Sequence, residues 1–198
     1  MRRSLGFLLA AALTIGLGLA AWRLFTPPAP NPLPASASHE LGGPFALIDQ
    51  DGRPSTDKDL LGKPSVLFFG YTYCPDVCPT TLGNLTQWLK ALGPDADRLN
   101  LRFITIDPAR DKPQQLKAYL SSFDPRIRGL TGSADAVAQA ARAYNVYYSK
   151  VDQGSGAYAM DHSTSVYLMD ARGHFVEPIG YGEEPAMAID SLKRLLRP

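Results

Sequence analysis

Seven consecutive residues, Ser65–Tyr71 (SVLFFGY), limit the possible folds of this chain more than any other stretch. The run is apolar almost throughout and rich in strand formers. A strand with no polar face is covered on both sides, so it predicts the interior of a sheet. Leu101–Asp107 (LRFITID) is a second run of the same kind. Between them Leu82, Leu85, Leu89 and Leu92 recur at spacings of three and four, and Gly93-Pro94 follows, which predicts a helix from about Pro79 to Leu92.

The remaining segments alternate in type. PFALID ends at the turn Asp51-Gly52, and DKDLLGK reads as a short helical turn closed by Gly62. KPQQLKAYLSSF is a helix with Pro113 in its first turn, and SADAVAQAARAYN is a helix capped by Ser133 and ended at Asn145. VYYSKV follows, then a hairpin in which STSVYLMD and HFVEPIGY flank the turn Ala171-Arg172-Gly173, then a last helix, PAMAIDSLKRLL. This order predicts an α/β domain with a mixed central sheet. At 198 residues, 45% of them hydrophobic, the chain has material for one sizeable core.

The N-terminus has a different character. Ser4–Trp22 is nineteen residues without a charge, preceded by Arg2 and Arg3. As a helix it spans about 30 Å of hydrocarbon. The arginines favour a cytoplasmic N-terminus. The apolar part of a cleaved signal peptide is usually shorter, roughly 7–15 residues, so a retained anchor over residues 1–25 is the preferred expectation. Small residues near Ala20 and Ala21 keep cleavage open. Thr26–Gly43, rich in proline and small residues, reads as a tether. Residues 44–198 then form the soluble domain, expected to be monomeric and to lie in the periplasm on a bacterial inner membrane, where thiols are readily oxidised. Twenty basic residues against nineteen acidic ones leave a formal charge of +1, without the basic field that nucleic acid requires.

The chain has two cysteines, Cys74 and Cys78, four residues apart and just beyond the Ser65–Tyr71 strand. Binding sites in α/β sheets collect at this carboxyl edge. With Pro79 in the first turn of the following helix, Cys78 lies at the positive end of the helix dipole, a setting that favours thiolate. Residues at i and i+4 of a helical turn face the same way, close enough for a disulfide or for two sulfurs to converge on one ion. A thioredoxin-type redox motif has two intervening residues, whereas this one has three. A purely structural disulfide would close a very small loop and stabilise little. Redox pair and half of a metal site both remain open.

A metal needs further ligands. His39 lies in the tether, and His174 follows Arg172-Gly173 in a turn; for both, a solvated side chain is the simpler reading. His162, preceded by Asp161 and beside an apolar strand, stands at a sheet edge where a loop could bring it over two exposed thiols. Two thiolates and an imidazole form a soft donor set. Structural zinc normally takes four protein ligands, whereas copper accepts three, as Cu(I) or Cu(II). Met160 is close enough in sequence to be a weak extra ligand, though packing is the simpler role for its thioether.

Four segments together resemble the SCO/SenC family of copper-binding proteins that assemble cytochrome c oxidase: GGPFALIDQDGRPSTDKDLLGKPSVLFFGYTYCPDVCPTTL, ITIDPARDKP, GLTGS and DHSTSVYLMDARGHFV. The resemblance covers roughly Gly42–Leu196. It implies a thioredoxin-like fold, an N-terminal membrane anchor and a copper site made by Cys74, Cys78 and His162. The implied role is delivery of copper to the dinuclear centre of oxidase subunit II or another periplasmic copper protein, or reduction of the subunit's cysteines. Oxidising the pair to a disulfide removes both thiolates that hold Cu(I), so redox state gates metal binding.

Copper carriage comes first on the residues alone, because an exchange enzyme needs no histidine beside its thiols. A thiol–disulfide oxidoreductase and a copper or redox sensor are the alternatives. One departure is visible: Lys112 follows Asp111 where the family commonly has threonine. Asp107, Pro108, Arg110 and Asp111 read as a charged turn with local ion pairing, with an interaction surface for a partner as the sharper alternative, and Tyr71, Tyr73, Tyr144, Tyr147 and Tyr148 read mostly as core, with the frame of a partner groove as the alternative. Asp76 suits either a helix cap or the tuning of the thiolates.

Overall fold

The computed structural model describes residues 41–197. The predicted anchor, most of the tether and His39 lie outside them. No helix among the described residues is long and apolar enough to cross a membrane.

Among the described residues nine strands are present: β1 (Ala46–Asp49), β2 (Pro54–Thr56), β3 (Ser65–Gly70), β4 (Asn100–Thr105), β5 (Ile127–Thr131), β6 (Tyr148–Gly154), β7 (Ala157–His162), β8 (Val166–Met169) and β9 (Phe175–Ile179). The α-helices described with them are α1 (Val77–Leu92), α2 (Pro113–Leu120), α3 (Ala134–Ala143) and α4 (Pro185–Leu195). Seven strands form one sheet in the order β2-β1-β5-β4-β3-β8-β9. β3, β4 and β5 run parallel, and β8, β9, β1 and β2 are antiparallel to their neighbours, so the sheet is mixed as predicted. β6 and β7 pair only with each other.

All six residues of β3 are buried, which is what an unbroken apolar run demands of a central strand. Phe68 and Phe69 are 1% exposed and Leu67 not at all; burial of each is worth roughly 1.5–3 kcal/mol. α2 packs over β5, α3 over β1, and α4 against β8, β9 and α1. Leu82, Leu85, Leu89 and Leu92 form the core stripe of α1, as their spacing implies. Ser133 caps α3, its hydroxyl accepting a hydrogen bond from the Ala136 amide at 3.2 Å, and Asn145 takes the left-handed conformation just beyond that helix.

Three strands escape the sequence reading: β2, β5 and β7. α1 also begins at Val77, two residues before the expected start, which places Cys78 inside the first turn. Lys112 occupies the N-cap position of α2 and provides no side-chain cap; its ammonium instead donates to the Pro108 carbonyl at 2.7 Å. The departure from the family pattern thus falls on a helix start.

Candidate metal centre

The two sulfurs reach the centre from consecutive turns of backbone, beginning at the carboxyl end of β3. Tyr71 and Thr72 leave the strand, and Asp111 fixes the turn. Its carboxylate, fully buried, accepts hydrogen bonds from the Thr72 amide at 3.0 Å, the Thr72 hydroxyl at 2.6 Å and the Thr105 hydroxyl at 2.7 Å. Burial, the leading influence, holds the Asp111 carboxyl above its ordinary pKa against these three donors.

Cys74 then meets the start of α1, and its sulfur accepts a hydrogen bond from the Cys78 amide at 3.3 Å. Asp76 sits at the N-cap position, yet its carboxylate makes no cap bond; it accepts from the Thr80 hydroxyl at 3.3 Å. The Cys74 sulfur serves the orphan amide in its place.

Cys78 is fully buried, while Cys74 is half-buried. The expectation of two exposed thiols is therefore corrected, because the early start of α1 turns Cys78 down onto β3. Gly70 makes this possible. A Cβ at that position would stand 2.7 Å from Cys78 Sγ and 2.9 Å from the Phe103 ring. Gly70→Ala is expected to destabilise the reduced protein by about 1–3 kcal/mol, the range for overpacking, as measured by urea denaturation.

The electrostatics also differ from expectation. The favoured thiolate belongs to Cys74, not to Cys78. Cys74 is lowered to about 4, chiefly by its hydrogen bond with Cys78, with help from His162 and from backbone amides, against the cost of burial. Cys78 is pushed up, first by Cys74 and next by burial. One negative charge on the pair suppresses a second.

The expected consequence is selective alkylation of the reduced protein at pH 6 by iodoacetamide: Cys74 carries the label and Cys78 does not, as read by peptide mass spectrometry. The sign for stability follows. Cys74 is a stronger acid folded than unfolded, where its ordinary value is 9.0; its contribution is full above that value and fades as pH falls toward about 4.

His162 ends β7 and completes the group. One atom each from Cys74, Cys78 and His162 lies within 4.8 Å of the others, and His162 Nε2 is 3.5 Å from Cys78 Sγ. Nδ1 stands 2.6 Å from the Ser163 carbonyl oxygen, to which it donates as N–H. That bond fixes the tautomer and leaves the Nε2 lone pair facing the sulfurs. The ring packs edge-on to Tyr71, with centroids 5.9 Å apart, and tilted against Phe68 at 6.4 Å.

His174 is elsewhere, with Nδ1 3.3 Å from an Asp170 carboxylate oxygen. Asp161 is exposed and lies outside the group, and Met160 packs against the core. Two sulfurs, one of them a thiolate, and an oriented imidazole form a soft three-atom set that fits copper better than calcium or magnesium.

Arg110 is the neighbour whose part the sequence reading missed: it faces the hairpin that carries His162, and no local spacing announces that meeting. Its guanidinium lies 3.7 Å from the Tyr158 ring centroid, 4.7 Å from that of Tyr73 and 5.7 Å from that of Tyr71.

Comparison with known proteins places this geometry in context. The SCO1/SenC family model matches residues 34–197. A solved structure of Bradyrhizobium japonicum ScoI with copper bound is 50% identical in sequence and superposes with a TM-score of 0.74, over 78% of this chain and 99% of that one. Yeast Sco1 with copper bound is 44% identical, with a TM-score of 0.73, over 78% of this chain and 87% of that one. Protein SenC of Rhodobacter capsulatus is 38% identical over 157 residues, 79% of this chain and 71% of the relative. The chain spans about half the length of the Saccharomyces cerevisiae relatives it matches, 55% of SCO2 and 52% of SCO1.

Proposed function

Because the chain belongs to the SCO1/SenC family, we propose that it is a copper carrier which takes up one copper ion through Cys74, Cys78 and His162 and passes it on by ligand exchange during assembly of cytochrome c oxidase. The observation that carries this reading is the convergence of those three side chains within 4.8 Å, on a scaffold shared with relatives solved with copper bound. The acceptor is the dinuclear copper centre of oxidase subunit II. Residues 1–25 anchor the protein in a bacterial inner membrane, residues 26–43 tether it, and residues 44–198 work as a monomer in the periplasm.

The side chains divide the work. Cys74 offers a thiolate in the resting protein and Cys78 a thiol, so uptake of Cu(I) displaces the Cys78 proton. His162, with its tautomer set by Ser163, supplies nitrogen through Nε2. Titrating the reduced protein with Cu(I) tests the reading: one ion per chain is expected, and binding that ignores replacement of either cysteine by serine would sink it.

The difference between the two thiols favours a second reading, reduction of the subunit's disulfide. The half-buried Cys74 thiolate attacks one sulfur of that disulfide, and the other leaves as a thiolate. Cys78, losing its proton, then attacks Cys74, freeing the second subunit sulfur and leaving a Cys74–Cys78 disulfide. Two electrons pass to the subunit. Loss of His162 leaves this exchange working, which separates it from copper carriage.

A further inference from the structure

The hairpin β6–β7 makes no strand pairing with the main sheet, yet its last residue is His162. Something must hold the ring in register with sulfurs that belong to a different part of the fold. On β7, Tyr158, Met160 and His162 alternate with Ala159 and Asp161, so the three share one face. Met160 packs against the core, and the His162 ring meets Tyr71 and Phe68.

Tyr158 meets a built socket. Arg110 Nη1 donates to the Tyr158 carbonyl at 3.0 Å while the guanidinium carbon lies over the Tyr158 ring, 3.7 Å from its centroid. The Tyr158 hydroxyl donates to Asp107 Oδ1 at 3.0 Å, and the other oxygen of that carboxylate accepts from Arg110 Nε. Asp107 is 4% exposed, and its amide donates to the Thr105 hydroxyl, which in turn donates to Asp111. Backbone, ring and hydroxyl of one hairpin residue are therefore all gripped by the loop after β4.

We infer that Arg110, with Asp107, is a positioning residue for metal binding: it clasps Tyr158 and thereby sets where His162 stands over Cys74 and Cys78. The coupling runs along one strand, four residues or about 13 Å at the rise of a β-strand. A guanidinium is suited to this task. It offers a planar face to the ring and separate N–H groups to a carboxylate and a carbonyl, which an ammonium cannot do together. The sharper alternative for this charged loop, a partner surface, is not needed to explain a carboxylate so deeply buried. The inference rests on the Cys74, Cys78 and His162 reading but reaches residues that hold no metal.

The test is a cycle of variants in the full-length reduced protein, Arg110→Gln, His162→Ala and both together, titrated with Cu(I) against a chromophoric chelator. Arg110→Gln is expected to weaken binding roughly 10–100-fold, the range for residues that orient a ligand. In the His162→Ala background the same change should cost little more, because a clasp acts only through the ring it places. Arg110→Lys should recover only a small part of the loss.

An independent readout needs no metal. Contacts between the His162 ring and the Tyr71 ring, seen as nuclear Overhauser effects in the metal-free protein, should disappear in Arg110→Gln. Equal losses in both backgrounds would overturn the inference, as would wild-type binding by Arg110→Lys or persistence of the ring contacts in Arg110→Gln. If His162→Ala alone binds like wild type, the copper reading fails, and the ring contacts still decide the clasp.

Discussion

Replacing His162 with alanine lowers the Cu(I) affinity of the reduced protein by at least ~100-fold, beyond the middle of the range seen when only an orienting partner is lost. The ring supplies the single nitrogen of the group, and its Nε2 lone pair is directed at the sulfurs by the bond from Nδ1 to Ser163. No other histidine can replace it among the described residues, since His174 is engaged with Asp170. The ring is partly exposed and closes no element of the main sheet, so the fold should lose only about 1 kcal/mol. Competition with a chromophoric chelator gives the affinity and urea denaturation the stability. Wild-type affinity in this variant would remove His162 from the site.

The largest effect on stability is expected at Asp111. Asp111→Ala leaves the Thr72 amide and two hydroxyls without their acceptor in the interior, and about 3–5 kcal/mol should be lost at neutral pH. Because Thr72 leads directly to Cys74, Cu(I) binding should weaken as well. The pH dependence has a definite sign. Folding raises the carboxyl above its ordinary value, so its protonated form is favoured in the native state, and that contribution is lost as pH rises through the folded value. The alanine variant should lack this slope in urea midpoints measured across the acidic range. An unchanged midpoint at neutral pH would show that the turn before Cys74 is held by something else.

The sequence makes the middle of the sheet legible and its margins obscure, for a physical reason. β3 and the interior positions of β4 are buried on both faces and therefore spell themselves as apolar runs. β5 (IRGLT) carries Arg128, which pairs with Asp49 and Asp51, and Gly129, which lies against Leu116 and Leu120; it is a strand because of what surrounds it. β7 is half-exposed along its length and paired only to β6, so it offers no run and little contrast between faces.

The site divides the same way. Two cysteines and a histidine draw attention by their chemistry, and the convergence of the three was expected. Which sulfur is the acid differs from the sequence expectation, because it depends first on the hydrogen bond between Cys74 and Cys78 and next on the burial of Cys78, which the early start of α1 and the missing Cβ at Gly70 allow. The grip of Arg110 on Tyr158 joins positions 48 residues apart and cannot be seen from spacing at all.

The depth of Cys78 gives the centre a direction. A sulfur with no solvent contact, backed by Gly70 and the Phe103 ring, cannot be touched by an incoming molecule. On the copper-carrier reading, an acceptor that offers one donor at a time would meet Cys74 and His162 first and Cys78 last, so the buried sulfur would set the order in which the protein gives up its cargo.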